Sequence, residues 1–172
     1  MKLALIIVAG IILFGISQTE SKEDIIIPKE SLRLRIIPNS NSSEDLEVKF
    51  LLQRVLGNKL EQSLSDAQTL EESKQIIEKN LEKIENKTSE ILTPLNKRHE
   101  INFGKNYFPS KSFKGVVYPS GMYDSLIITI GEGKGDNWWC VLFPPLCSLK
   151  RENDLDEVNY QFFVSRIINK FR

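Results

Sequence analysis

Residues 131–147 read GEGKGDNWWCVLFPPLC, and this stretch constrains the fold more than any other. Its alternating glycines adopt positive φ without steric cost, so the first half predicts a turn. The apolar run Trp138–Phe143 that follows predicts a strand. A second apolar run, Ser125–Ile130, ends immediately before the glycines, and we expect the two strands to pair as a hairpin across the turn.

Other short runs rich in β-branched and aromatic residues predict further strands. They are HEINFG from His99 and SFKGVVYP from Ser112, bounded by Gly, Pro, Asn and Ser. Near the start, LRLRIIP alternates apolar residues with Arg33 and Arg35, which predicts a strand with one buried face and one polar face. The segment before it, which includes IIIP, has no pattern typical of a folded domain.

Helical patterns occupy the regions before and after these strands. NSNSSED supplies N-cap residues and early carboxylates, so Asn41 to Ser43 should begin a helix. A second helix is predicted from Ser65, where Ser65 and Gln68 stand in capping-box register, and Pro94 should end or kink it. The C-terminal residues predict a closing amphipathic helix that packs against the sheet. Grouped helices and grouped strands indicate the α+β class, with helices packed on one face of an antiparallel or mixed sheet.

The N-terminus predicts an export signal. Leu3 to Ile16 is an uninterrupted apolar run, about 21 Å long as a helix against about 30 Å of membrane hydrocarbon. Residues 1–17 are therefore interpreted as a signal peptide, cleaved after Ser17 or retained as a signal anchor helix. A linker is predicted over residues 18–31 and a single α+β domain over residues 32–172. Equal numbers of basic and acidic residues, 23 of each, disfavour nucleic acid as a partner.

Motifs for familiar chemistry fail in detail, and no catalytic residue, metal ligand or cofactor is predicted. His99 is the single histidine in the chain, and no Gly-x-Ser-x-Gly surrounds a serine. The glycine loop does not fit a phosphate-binding loop, because Ile128 occupies the first glycine position and Gly135 follows Lys134. We therefore expect a protein that is not an enzyme.

One enzymatic or glycan-binding alternative remains open at this stage. Glu132 and Asp136 could act as paired carboxylates with Asp124 as a third, while Trp138 or Trp139 stacks on a sugar. An exported cell-wall glycan hydrolase or glycan-binding protein would use such a set. The other interpretation is that the carboxylates keep the turn soluble while one tryptophan packs in the core.

The cysteines of the chain are Cys140 and Cys147, on either side of the Pro-Pro pair. In an exported protein they meet an oxidising or unbuffered compartment, where a disulfide between them can form. They are equally compatible with two small buried apolar side chains.

Two motifs resemble the stage II sporulation protein R family of endospore-forming bacteria. They are LRLRIIPNSNS near the start and YPSGMYDSLIITIGEGKGDNWWCVLFPPLC, residues 118–147, and together they cover about a quarter of the chain. This chain departs from the family pattern at Pro38 and Asn41, where the family usually has Ala and Asp. The order and spacing of the motifs and the leading signal suit the full length of such a protein.

The resemblance implies a secreted signalling protein, exported from the forespore into the space between the forespore and mother-cell membranes, and tethered there if the signal is retained. Its partner would be a membrane-embedded aspartic protease of the mother cell, which then removes the pro-sequence of a sigma factor. The segment from Gly121 to Cys147 is the predicted contact region. The residues assigned to it are Gly121, Tyr123, Asp124, Glu132, Lys134, Asp136, Trp138 and Trp139.

Overall fold

The computed structural model describes residues 24–147 and 157–171, so the predicted signal over residues 1–17 lies outside the described residues. The strands are β1 (Ile25–Ile26), β2 (Leu32–Ile37), β3 (His99–Phe108), β4 (Lys111–Phe113), β5 (Val116–Tyr118), β6 (Gly121–Ile130) and β7 (Trp138–Phe143). The helices are α1 (Ser43–Ser63), α2 (Leu70–Leu92) and α3 (Glu157–Lys170), with a 3-10 turn at Thr93–Leu95. The α+β class is confirmed.

The strands form two mixed sheets, and β2 is an inner strand of the larger one. The larger sheet has the order β3-β6-β2-β7, in which β2 is parallel to β6 and antiparallel to β7. The expected hairpin between Ser125–Ile130 and Trp138–Phe143 is therefore wrong, because β2 lies between these strands. Instead β6 pairs with β3 over their full length, from His99 opposite Ile130 to Phe108 opposite Gly121.

Helices α1 and α2 cover one face of the larger sheet. Leu34 and Ile36 of β2 are fully buried in a core that includes Leu52 of α1 and Ile77 of α2. Burying each such side chain contributes roughly 1.5 to 3 kcal/mol. This arrangement confirms that helices pack on a face of the sheet and that the apolar residues of β2 form a buried face.

The opposite face of the sheet is also covered, which the sequence did not predict. The smaller sheet, of order β1-β5-β4, and helix α3 bury a second core there. Its fully or nearly fully buried members are Ile27, Phe108, Val116, Tyr118, Tyr123, Trp139, Val141, Leu146, Tyr160, Val164 and Ile168. The domain thus has three layers, and helices lie on both sides of the larger sheet.

Two local boundaries also differ from expectation. Ile25 and Ile26 pair in parallel with Val116 and Val117, so part of the segment predicted as a linker belongs to the fold. Helix α2 begins after Thr69 instead of at Ser65, because the Thr69 hydroxyl accepts a hydrogen bond from the Glu72 backbone N–H at 3.1 Å. Its end at Leu92, just before Pro94, agrees with the prediction.

Arg33 is the most unusual member of the second core, because its side chain is completely buried. Its guanidinium carbon lies 3.4 Å from the Tyr123 ring centroid and 5.1 Å from that of Phe108. One nitrogen, Nη2, is 3.5 Å from the carbonyl oxygen of Pro119, while Nε and Nη1 have no hydrogen-bond partner among the described residues. Burial lowers the pKa of Arg33 to about 10. Contact with the aromatic faces offsets part of this desolvation cost.

Because the charge of Arg33 is buried without a carboxylate, an apolar side chain of similar length should replace it at little cost. We expect Arg33→Met to have a free energy of unfolding within about 1 kcal/mol of the unmodified protein or above it. Arg33→Ala should lower that free energy by about 2 to 4 kcal/mol, because it leaves a cavity among the rings. Urea unfolding followed by tryptophan fluorescence measures both values. An equal loss in both variants would show that the charge itself stabilises the fold.

Candidate functional site

The glycine-rich loop, residues 131–137, crosses the end of β2 and is fixed to the turn that follows it. The backbone N–H of Lys134 donates to the carbonyl oxygen of Asn39, and that of Gly135 donates to Pro38, both at 3.1 Å. The side chain of Asn39 accepts from the Glu132 N–H at 3.0 Å. A loop rich in glycine is therefore held by several hydrogen bonds along its length.

Further polar contacts hold the second half of this loop. The Asp136 N–H donates to Oδ1 of Asn41 at 2.6 Å, and the Asp136 carbonyl accepts from Lys49 Nζ at 2.9 Å. Lys49 is almost completely buried, and desolvation lowers its pKa. The loop is thus attached both to the β2–α1 turn and to the first half of α1.

Asp45, a buried residue in the first turn of α1, organises this attachment. Its Oδ2 accepts hydrogen bonds from Ser40 Oγ at 2.6 Å and from Asn39 Nδ2 at 2.9 Å. Its Oδ1 lies 2.9 Å from Lys97 Nζ, which arrives from the connection between α2 and β3. These three side chains hold the pKa of the Asp45 carboxyl well below its usual range. One carboxylate therefore joins three segments of the chain.

Glycines are required in the loop for two reasons: the turn after β2 packs too closely for a side chain, and the backbone adopts positive φ. Gly131 has φ of +57°, and a Cβ added there would collide with the Asn39 side chain. A Cβ at Gly135 would collide with the Ser40 carbonyl. The sequence indicated a turn but not the surface against which these glycines pack.

The two tryptophans of the motif face opposite sides of β7. Trp139 is buried in the second core, with its ring centroid 5.0 Å from that of Tyr118 and 5.5 Å from the Arg33 guanidinium carbon. Trp138 is half-buried and packs against the core beneath α1. The sulfur atoms of Cys140 and Cys147 are joined in a disulfide, which closes the Pro-Pro turn at the end of the strand.

Of the residues predicted to contact a partner, those of the loop are accessible. The side chains of Glu132 and Lys134 are exposed and lie 2.6 Å apart, and Asp136 is exposed beside them. A hydrogen bond from Lys134, together with its charge, lowers the pKa of Glu132. These three residues form a charged cluster on a fixed backbone, which we call the loop surface.

The remaining predicted contact residues lie elsewhere. Gly121 and Asp124 are half-buried at the start of β6, and Asp124 lies 3.9 Å from Lys105. Tyr123 is buried and donates a hydrogen bond from its hydroxyl to the Pro119 carbonyl at 2.9 Å. The structure therefore does not bring all of these side chains to one surface.

The fold keeps Asp124, the third carboxylate of the glycan-acting alternative, far from Glu132 and Asp136. Asp124 precedes the end of β6 by six residues, which is about 20 Å at 3.3 Å per residue. Glycosidase carboxylates stand about 5 to 9.5 Å apart, and their general acid has a raised pKa, whereas that of Glu132 is lowered. Trp139 is buried and offers no platform to a sugar.

His99 has two neighbours that at first suggest a catalytic arrangement. Glu85 Oε1 lies 2.8 Å and Ser89 Oγ 3.4 Å from the same ring nitrogen, Nε2. A nucleophile and an orienting carboxylate must use opposite nitrogens of the imidazole to act as a relay. This contact therefore joins α2 to β3 without the geometry of a triad. Within residues 24–147 and 157–171, no cluster of metal-binding side chains and no helix able to span a membrane is found.

Several clefts of the described residues lie away from the loop surface, and two of them are candidates for binding. A groove of about 590 Å³ borders β1, the start of α2 and the end of α3, and is lined by Ile26, Pro119, Phe143 and Phe171 among others. A narrower cleft of about 240 Å³ lies between α1 and α2. The first carries one lysine and one glutamate, Lys29 and Glu30, whereas the second is lined by lysines without a carboxylate.

Fold and site together define a three-layer α+β domain that presents a glycine-rich loop clamped across the end of a central strand. The family model for stage II sporulation protein R matches residues 28–153, and the chain belongs to this family. This confirms the resemblance drawn from the sequence motifs.

A curated relative agrees with the family assignment. The chain is 34% identical over 139 residues to stage II sporulation protein R of Bacillus subtilis (strain 168). The aligned region covers 80% of this chain and 62% of that protein, so the chain spans less than two thirds of its relative's length. No solved structure matches the chain. Membership supports a role in sporulation, and the family is not a known enzyme family.

Sequence reasoning missed several residues that fix the loop, chiefly Asn39, Asp45 and Lys49. The stretch NSNSSED was interpreted only as a helix start, and Ser42 does cap α1 by accepting from the Asp45 N–H at 3.2 Å. The density of short polar side chains directly after a strand was the available signal. Their second role depends on a loop some 90 residues further along the chain.

Asp45→Asn should destabilise the domain in a pH-dependent manner. The folded-state pKa of Asp45 is depressed. Its contribution to the free energy of unfolding is therefore fully present above the unfolded-state pKa of about 4 and is lost as the pH falls below that value. At pH 7 the variant should lose about 2 to 4 kcal/mol of unfolding free energy, and the difference should shrink between pH 4 and pH 2. The control Glu44→Gln removes an exposed partner of Lys97 and should cost less than about 1 kcal/mol. A pH-independent difference would contradict this role.

Gly131→Ala should cost about 1 to 3 kcal/mol, because it combines positive φ with a collision against Asn39. Gly57→Ala is the matched control, since a Cβ in that turn of α1 meets nothing within 4 Å. It should be neutral or stabilising by up to about 1 kcal/mol. Thermal unfolding of the two variants measures the contrast, and similar midpoints would show that the loop is not closely packed.

Proposed function

We propose that this chain is a secreted signalling protein of sporulation that activates a membrane-embedded aspartic protease of the mother cell. Activation of that protease then leads to proteolytic maturation of the mother-cell sigma-factor precursor. The observation that carries the proposal is the family match over residues 28–153, which spans most of the described domain. The proposed site of action is the space between the forespore and mother-cell membranes, reached through the N-terminal signal.

If the chain activates the protease by binding alone, it must bind the active state of the protease more tightly than the inactive state. Converting a population that is 1% active into one that is 99% active requires about 10⁴-fold preference, or about 5.5 kcal/mol. A rigid surface serves this purpose, because less conformational entropy is lost on binding. The clamped loop is such a surface.

The loop surface is the proposed contact, with Glu132, Lys134 and Asp136 as its accessible side chains. Tyr123 and Trp139 are buried inside the domain, so they are not part of the proposed contact surface. The half-buried Trp138 offers an apolar neighbour to the charged cluster. A few such residues commonly dominate the binding energy of an interface.

Reconstitution in a non-sporulating bacterial host tests this function. The protease and the sigma-factor precursor are co-expressed with or without the full chain carrying its signal, and precursor cleavage is followed by immunoblot. We expect cleavage only when the chain is present and exported. Cleavage at the same rate without the chain would contradict the proposal.

The contact itself is tested by a pair of charge-neutral double variants in the same host. Glu132→Ala with Lys134→Ala should lower the cleavage rate at least about fivefold, corresponding to about 1 kcal/mol of binding energy. Glu78→Ala with Lys79→Ala removes one exposed charge of each sign from α2 and should leave the rate unchanged. Equal rates in both double variants would exclude the loop surface as the contact.

A further inference from the structure

The cleft between α1 and α2 combines an apolar floor with a basic rim. Its floor is formed by Leu56 and Leu60 of α1 and by Ile76, Ile77 and Ile84 of α2. Its charged lining residues are Lys59, Lys83 and Lys87, and no carboxylate lines it. An apolar slot bordered by one sign of charge favours an occupant that is apolar on one side and acidic at its edges.

Two of the three lysines form no salt bridge with a described carboxylate, although the charge of Lys59 contributes to the lowered pKa of Glu90. Lys87 Nζ lies 2.8 Å from both carboxylate oxygens of Glu90, so its charge is paired. Lys59 and Lys83 are exposed, and within residues 24–147 and 157–171 neither lies in salt-bridge distance of a carboxylate. Both remain available to a carboxylate from outside the chain.

The size of the cleft disfavours a drug-sized small molecule as its occupant. Its volume of about 240 Å³ is below the roughly 300 to 1,000 Å³ typical of small-molecule sites. A groove between two helices instead suits the apolar residues of an amphipathic helix, spaced at i, i+3, i+4 and i+7. Acidic residues beside that stripe would then face Lys59 and Lys83.

We propose that this cleft docks an acidic amphipathic helix from the extracytoplasmic part of the protease. The inference rests on the proposed function and adds a second contact to the loop surface. Along α1, the cleft residues Leu56 and Leu60 lie about 10 to 16 Å from Lys49, which holds the loop. An interface of standard size, about 800 Å² per partner and about 30 Å across, covers such a separation.

Charge reversal on the rim tests the docking in the reconstituted host. Lys59→Glu with Lys83→Glu should lower the rate of precursor cleavage at least about tenfold at equal amounts of exported chain. The control is Arg54→Glu with Lys79→Glu, which reverses one exposed cation on each of the same two helices outside the cleft. The control double variant should stay within about twofold of the unmodified chain.

The outcomes separate this inference from the proposed function. Failure of the unmodified chain to support cleavage would overturn both the proposed function and the docking in the cleft. Full activity of the rim variant would overturn only the docking in the cleft. Equal losses of cleavage rate in the rim and control variants would also overturn the docking in the cleft, because such losses would reflect the total charge of the chain alone.

A photocrosslinking amino acid gives an independent readout that does not depend on activity. Placed at Ser63, an exposed lining residue, it should form an adduct with the protease, whereas at Gln75, exposed on α2 outside the cleft, it should not. An adduct with lipid or with another protein from Ser63, or equal adducts from both positions, would contradict the proposal.

Discussion

Strand β2 separates β6 from β7, so the chain that leaves β6 at Ile130 must cross the end of β2 before it enters β7 at Trp138. That crossing puts the glycine-rich loop directly over the turn that follows β2. Backbone groups of the loop then bond to Pro38 and Asn39, and the buried carboxylate of Asp45 holds that turn in place. The shape of the loop surface is therefore a consequence of strand order.

The same central strand explains why the domain needs two cores. One face of β2 presents leucine and isoleucine to α1 and α2, while the other presents Arg33 and Arg35 to aromatic rings. Arg35 also donates to the Tyr107 carbonyl at 2.8 Å, which links β2 to the far end of β3. Cations that would ordinarily mark a solvent-facing side thus lie beneath a second layer. Aromatic contact makes that burial tolerable.

Local patterns predicted the local structure well. Every run predicted as a strand contains strand, although SFKGVVYP divides into β4 and β5 around a turn; Ser42 caps α1, and Pro94 follows the end of α2. These features depend on neighbours within a few residues, which the sequence displays directly. The pairing of β6 with β3 instead of β7 depends on contacts between distant segments, and glycines that permit a hairpin equally permit a crossing.

The candidate site likewise combines features that the sequence predicts with features that depend on distant segments of the chain. The turn was predictable from its glycines, and the exposure of Glu132 and Lys134 follows from their place in it. The burial of Tyr123 and Trp139 was not predictable, because alternation along a strand assigns two faces without stating what covers each. The covering layer comes from the smaller sheet and α3; the sequence predicted that the closing helix packs against the sheet, but not on which face.

Amide hydrogen exchange tests the central claim most directly, namely that the loop is a fixed crossing of β2. The Glu132, Lys134, Gly135 and Asp136 amides all donate hydrogen bonds to the turn after β2. They should exchange at least about tenfold more slowly than the same amides in an unstructured peptide, although Glu132, Lys134 and Asp136 are exposed. Exchange of these amides at the unprotected rate, while the β2 amides remain protected, would contradict the account.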